Sequence, residues 1–122
     1  MDFFEWRSTA LAGGLTRFLG AWAGVVLAAA ESLATKIKTT HARRVRRIHA
    51  QIDTAPGVGE SVTFALMING GASALTVAIS GAAQTSNSAV VDVDVAANAE
   101  IGIRAVSSAL AAATGDIRVR VE

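Results

Sequence analysis

Two strand-like segments on either side of an Asn-Gly-Gly turn constrain the fold of this chain most strongly. They occupy the stretch Thr54–Ser80, which reads TAPGVGESVTFALMINGGASALTVAIS. One face of the first segment carries Val62, Phe64, Leu66 and Ile68, and the second segment alternates Leu75, Val77 and Ile79 with Thr76, Ala78 and Ser80. Period-two alternation around a turn that requires positive φ predicts a β-hairpin.

Other short segments repeat this alternation along the C-terminal two-thirds of the chain. They are Ser32–Thr39, Arg43–Asp53, Val91–Val95, Ile101–Ala105 and Ile117–Val121, separated by the predicted loops Asp53–Glu60, Gly81–Ser88, Ala96–Glu100 and Ser107–Gly115. Val45 is out of phase with Ile48, which predicts a β-bulge near Arg46–Arg47. About seven or eight short strands separated by turns are typical of an antiparallel β-sandwich. We therefore predict an all-β fold.

The N-terminal region differs in composition from the predicted sandwich. Phe3, Phe4 and Trp6 give the first residues an apolar character that is unusual for a chain terminus. We treat residues 1–15 as an N-terminal arm and residues 16–122 as the sandwich domain. A short strand is predicted near Thr16–Leu19, followed by an irregular segment that contains glycine. The arm either folds back on its own domain or docks on a neighbouring subunit.

Length and composition favour one small structural domain. The chain has 122 residues, no cysteine, no tyrosine, 5% aromatic residues and a formal net charge of +1. Without cysteine it can form neither a disulfide nor a thiolate metal site. The uncharged stretch Phe18–Ala30 is shorter than the about 20 apolar residues that a spanning helix needs, so we expect no membrane association. Asp2 and Glu5 offset Arg7 and Arg17, which argues against a secretory signal.

Few residues are of types that carry chemistry. His41 lies in a predicted turn and His49 on the outward face of its strand, and neither has a carboxylate next to it in sequence. Asp92 and Asp94 share one strand face with Cβ atoms about 7 Å apart. We expect these two carboxylates to pair with arginines on the outward faces of neighbouring strands, namely Arg104, Arg118 and Arg120. The sequence therefore predicts no enzyme activity, no cofactor and no metal.

A basic cluster lies between Ser32 and Ile52, where no acidic residue occurs. It contains Lys36, Lys38, Arg43, Arg44, Arg46 and Arg47. Three interpretations are open: a solvated edge that prevents unwanted strand pairing, a contact with an acidic protein surface, or nucleic acid binding. No aromatic residue is interleaved with these charges for base stacking, which argues against nucleic acid.

The hairpin also resembles a motif found in small structural proteins of tailed bacteriophages and prophages. That motif has the form taPG-x-G-x-S-x-TF-x-L-x-x-NG followed by aLT-x-x-IsG. The matching positions here are Thr54, Ala55, Pro56, Gly57, Gly59, Ser61, Thr63, Phe64, Leu66, Asn69, Gly70, Leu75, Thr76, Ile79, Ser80 and Gly81. With Phe18-Leu19-Gly20 and Trp22 upstream and Val91–Arg104 downstream, the similarity covers about Phe18–Glu122.

The resemblance implies a jelly-roll-like domain, commonly trimeric, that lies on a virion as a capsid decoration (cement) protein or as a fibre or tail module; of these we expect the decoration protein. Its partner would be the major capsid protein or another virion protein on the capsid exterior, after synthesis in the bacterial cytoplasm. Phe3, Phe4 and Trp6 are the candidate anchors on a partner, and Arg43, Arg44, Arg46 and Arg47 are the candidates for orientation on an acidic surface. Two alternatives are a tail or fibre module that binds a host receptor or glycan, and a carbohydrate-active enzyme or lectin.

Overall fold

A computed structural model describes residues 4–8, 10–19 and 37–122, and within these ranges the chain contains only strands and irregular segments, with no helix. The described strands are β1 (Phe4–Ser8), β2 (Thr16–Leu19), β3 (Ile37–Lys38), β4 (Arg43–Ile52), β5 (Gly57–Ile68), β6 (Gly71–Gly81), β7 (Ser86–Val95), β8 (Glu100–Ser107) and β9 (Ile117–Val121). The predicted all-β antiparallel sandwich is confirmed. The strands number nine in the described ranges, slightly more than the sequence predicts.

The strands form two antiparallel sheets. The first, which we call sheet A, has the order β1-β9-β4-β7. The second, sheet B, has the order β2-β8-β5-β6, and the short β3 pairs with β8 as well. The order is strongly non-sequential, so neighbouring strands come from distant parts of the chain. In particular, β1 near one end of the chain pairs with β9 near the other.

The apolar faces of the two sheets enclose a single core. Val62, Phe64 and Leu66 of β5 are fully buried, as the alternation predicts. Sheet A contributes Ile48 from β4 and Val119 from β9, which are also fully buried in the same cluster. Small and β-branched side chains fit between two closely stacked sheets, which explains how a chain with few aromatic residues fills its interior.

The turn of the predicted hairpin has the expected backbone conformation. Asn69 has a φ of 50° and Gly70 a φ of 84°, as a type I′ turn between antiparallel strands requires. The backbone N–H of Asn69 donates to the carbonyl of Glu100 (2.8 Å), and the side-chain oxygen of Asn69 accepts from the N–H of Glu100 (2.9 Å). The turn therefore also ties the hairpin to the start of β8.

We predict that Gly70→Ala destabilises the domain, whereas Gly71→Ala next to it does not. A Cβ atom at a left-handed position costs about 1–2 kcal/mol. Gly71 does not have a positive φ, and a Cβ there would meet only the carbonyl of Ile68 at an ordinary 3.6 Å. Urea unfolding of both variants checks this. Equal midpoints for the two would contradict the assigned turn conformation.

The β4 bulge is confirmed, whereas several strand boundaries differ from prediction. The register between β4 and β7 shifts between Val45 and Arg47, and the N–H groups of both Arg46 and Arg47 donate to the carbonyl of Glu122. The predicted loop Asp53–Glu60 is wrong in its second half, because β5 already begins at Gly57.

Three further predicted segments agree with the structure wholly or in part. The predicted loop Gly81–Ser88 is shorter than expected, because β7 starts at Ser86. The strand predicted at Thr16–Leu19 is present as β2. Of the strand predicted from Ser32 to Thr39, only Ile37–Lys38 is found in the described part of the chain. Residues 20–36, which include the irregular segment after Leu19, lie outside the described ranges.

The predicted N-terminal arm requires a correction. Its residues Phe4–Ser8 form β1, an edge strand of sheet A that pairs in register with β9 from Phe4 opposite Val121 to Ser8 opposite Ile117. These residues are part of the sandwich and not a separate arm. The first of the two interpretations, folding back on the same domain, therefore describes this segment.

Candidate interaction surface

The aromatic residues proposed as partner anchors have different environments. Trp6 is fully buried in the core of its own chain, opposite Val119, so its side chain cannot contact a partner in this structure. Phe4 is only partly buried, and its ring lies 6.3 Å from that of Trp6. The guanidinium of Arg43 sits 5.0 Å from the centre of the Phe4 ring, which is a cation–π arrangement. Phe3 lies outside the described residues.

Three of the four arginines of β4 already have acidic neighbours within the chain. The Nε of Arg44 lies 2.9 Å from an oxygen of Asp94, and the Nε of Arg46 lies 3.5 Å from an oxygen of Asp92. A longer contact of 3.8 Å joins Arg47 to Glu122. These contacts follow from the pairing of β4 with β7 and from the bulge, which turns consecutive side chains outwards.

These ion pairs correct the sequence-based expectation for the two aspartates. Asp92 and Asp94 face arginines of β4, and not Arg104, Arg118 or Arg120. The hydrogen bond that Arg44 donates to Asp94, followed by the negative charges of Asp94 and Asp92, raises the pKa of the Arg44 guanidinium. The pairs are exposed and therefore screened by salt, so they set the local charge pattern more than they stabilise the fold.

The basic cluster seen in the sequence does not form one surface. Arg43, Arg44, Arg46 and Arg47 lie on sheet A, whereas Lys38 belongs to β3 in sheet B, opposite Glu100. Lys36 lies outside the described residues. The four arginines line an open groove of about 500 Å³ together with Phe4, Val45 and Glu122. Glu122 is the one acidic residue among the described residues that line it.

The residues considered for catalysis do not converge. His41 is exposed between β3 and β4, whereas His49 lies in the middle of β4 opposite Arg120. Asp92 and Asp94 point towards Arg46 and Arg44, as described above. No group of three or more histidine, aspartate or glutamate side chains is placed to hold a metal ion in residues 4–8, 10–19 and 37–122. The described part of the chain also contains no helix with the length and apolar character to span a membrane.

A second charged surface lies on the outward face of sheet A and was not recognised from the sequence. It is a shallow depression of about 300 Å³ lined by Glu5, Arg7, His49, Gln51, Arg118 and Arg120. We call it the three-arginine face. These residues come from β1, β4 and β9, which are adjacent in the sheet.

The sequence does contain a signal for this face. In β1 and in β9, charged side chains alternate with buried apolar ones, as in FEWRS and IRVRV. Each pattern alone predicts only an outward charged face. The charged side chains of β1 and β9 form one surface only because the two strands pair, and this pairing joins residues more than a hundred positions apart in the chain. No local pattern predicts such a pairing.

Comparisons with known proteins add no family assignment. No protein-family model matches the chain, and no curated protein is significantly similar to it.

Proposed function

We propose that this chain is a virion structural protein of a tailed bacteriophage, in which it decorates the assembled capsid as a homotrimer. The observation that carries the proposal is the backbone conformation of the motif. Gly57, Gly59, Gly70 and Gly81 all have positive φ, between 75° and 117°. The glycines on which the resemblance rests therefore occupy positions where other residues would be strained.

The apolar motif positions support the same proposal. Phe64, Leu66, Leu75 and Ile79 are fully buried in the core. The motif thus specifies the shape of the β5–β6 hairpin and not a catalytic constellation. Such a hairpin is a scaffold, and the function of a scaffold depends on the surfaces that it presents.

A sandwich of this kind stabilises a capsid by mass action. A protein that binds the assembled lattice and not the free subunits shifts the equilibrium towards the lattice, by about 2.7 kcal/mol per site at a concentration one hundred times its Kd. Two surfaces in the described part of the chain are candidates for this binding: the groove beside Phe4 and Arg43, and the three-arginine face. Both lie on sheet A, which makes this sheet the candidate contact with a major capsid protein.

The location of the protein on particles tests the proposal. We expect the purified protein to have three times the chain mass in solution, measured by light scattering. We also expect mass spectrometry and antibody labelling of particles from the strain that encodes the chain to find it over the capsid surface. Labelling at the tail alone would favour the alternative of a fibre or tail module. Absence from purified particles would contradict a virion role.

A further inference from the structure

The three-arginine face arises from two rows of side chains that cross three strands of sheet A. In one row, Arg120 of β9 lies directly opposite Glu5 of β1 on one side and His49 of β4 on the other. In the next outward row, Arg118 lies opposite Arg7 and Gln51. All of these side chains point away from the core, because they alternate with buried residues on each strand.

Within this face, two guanidinium groups share one carboxylate oxygen. The Nε of Arg7 lies 3.0 Å from Oε1 of Glu5, and the Nε of Arg118 lies 3.3 Å from the same atom. Arg7 and Arg118 are also direct cross-strand neighbours, an arrangement in which like charges repel. Glu5 moderates this repulsion but brings only one negative charge to two cations.

The other arginines of sheet A are arranged differently. Arg44, Arg46 and Arg47 each face a separate carboxylate, on Asp94, Asp92 and Glu122 respectively. On the three-arginine face, in contrast, Arg7 and Arg118 share Glu5, which is the one carboxylate among the described residues that line it. The side chains of Arg7 and Arg118 are about half exposed, at 48% and 54%, so an incoming group can reach them.

We propose that the three-arginine face binds carboxylate side chains on an acidic protein surface, with Arg7 and Arg118 as its main donors. A guanidinium binds a planar carboxylate through paired N–H donors, which makes this a suitable ligand. This inference deepens the proposed function, because it names the chemistry of the capsid surface that the protein recognises. It also differs from the sequence-based prediction, because it assigns orientation on the partner to the three-arginine face and not to the arginines of β4.

A protein surface fits this face better than nucleic acid does. Carboxylates are interspersed with the arginines of sheet A, at Glu5, Asp92, Asp94 and Glu122, so this sheet does not present the continuous basic patch that is typical of a nucleic acid footprint. None of the described residues that line the depression is an aromatic residue on which a base could stack. Interspersed charges of both signs are instead suited to a complementary protein interface.

Binding of poly-L-glutamate to the full chain at low salt tests this inference. We expect the triple variant Arg7→Gln/Arg118→Gln/Arg120→Gln to bind this probe about tenfold more weakly than the wild type, because charge-assisted contacts are lost. The matched control is Arg44→Gln/Arg46→Gln/Arg47→Gln, which removes the same charge from arginines with their own carboxylates. Its affinity should change about twofold or less. Equal losses in both variants would show a net charge effect and overturn the inference.

Two further binding measurements, on a Glu5 variant and on a DNA duplex, test the same inference. Glu5→Gln removes the internal competitor and should strengthen binding of poly-L-glutamate about threefold or more; weaker binding would contradict the assigned role of Glu5. Circular dichroism checks that the variants are folded, and the single variant Arg118→Gln replaces the triple one if it is not. A DNA duplex bound more tightly than poly-L-glutamate, with the same loss in the triple variant, would overturn the choice of partner.

Particle occupancy separates this inference from the proposed function. If the wild type and the triple variant load equally onto particles that lack the protein, the decoration role stands and the three-arginine face is not its contact. If the wild type binds poly-L-glutamate through Arg7 and Arg118 but is absent from particles, the carboxylate site stands and the decoration role is wrong.

Discussion

Trp6→Ala is expected to lower the free energy of unfolding by about 3–5 kcal/mol, the usual cost of deleting a large buried aromatic side chain. Trp6 is fully buried although it lies on an edge strand near the start of the chain. Its replacement leaves a cavity between β1 and the core and weakens the pairing of β1 with β9. Urea denaturation followed by far-UV circular dichroism measures the effect.

Phe4→Ala is the matched control, because Phe4 lies on the same strand and is only partly buried. We expect Phe4→Ala to lower the free energy of unfolding clearly less than Trp6→Ala does. Trp6→Phe is informative as well, because Trp6 Nε1 is buried with no hydrogen-bond partner in the described part of the chain. Phenylalanine lacks this unpaired N–H, and its removal offsets part of the free-energy cost of the smaller ring. We therefore expect Trp6→Phe to lower the free energy of unfolding by less than about 2 kcal/mol. Wild-type stability of Trp6→Ala would mean that the N-terminal residues do not pack on their own domain.

Gly115→Ala is expected to destabilise the domain by about 2–4 kcal/mol, for two reasons that add. Gly115 has a φ of 69°, which disfavours any side chain. A Cβ atom there would also lie 2.6 Å from the Cβ of Asp53. Asp53 in turn accepts a hydrogen bond from the N–H of Asp116 (3.0 Å), so that its displacement breaks a contact that holds the loop before β9.

Gly81→Ala separates the two contributions. Gly81 has a φ of 88°, but a Cβ there would meet no atom within 4 Å. We expect it to cost only the backbone strain of about 1–2 kcal/mol. Thermal unfolding of the two variants side by side gives the comparison. If Gly115→Ala were no less stable than Gly81→Ala, the close approach of Asp53 to Gly115 would be wrong.

The features that the sequence predicted well are those determined by neighbouring residues. The β5–β6 hairpin follows from period-two alternation around Asn69-Gly70, and the bulge at Arg46–Arg47 follows from a change of phase within one strand. Within the predicted loop Ala96–Glu100, Asn98 has a φ of 63°, a conformation that asparagine tolerates better than most residues. Each of these signals lies within about ten residues, the range over which strand and turn chemistry acts.

Features that depend on the order of strands were not predictable in this way. The sequence showed an apolar N-terminal segment around Trp6 and predicted outward positions for Asp92 and Asp94. It did not indicate which strands lie beside these residues. The burial of Trp6 requires the β1–β9 pairing, and the pairing of the aspartates with Arg46 and Arg44 requires β7 to lie beside β4. Strand ends were also missed at Gly57 and Ser86, where residues typical of turns extend the sheets.

The neighbouring positions of β1 and β9 have a consequence for folding kinetics. Sheet A cannot be completed until Ile117–Val121 has been synthesised, because β9 lies between β1 and β4. Until then, among the described strands, β1 with Trp6 has no partner in sheet A, and β4 is paired only with β7. The nascent chain therefore exposes Trp6 and the other edge of β4. Topologies dominated by such distant contacts fold in about milliseconds to seconds. On the ribosome, the pairing of β9 with β1 and β4 would therefore be the step that completes the domain.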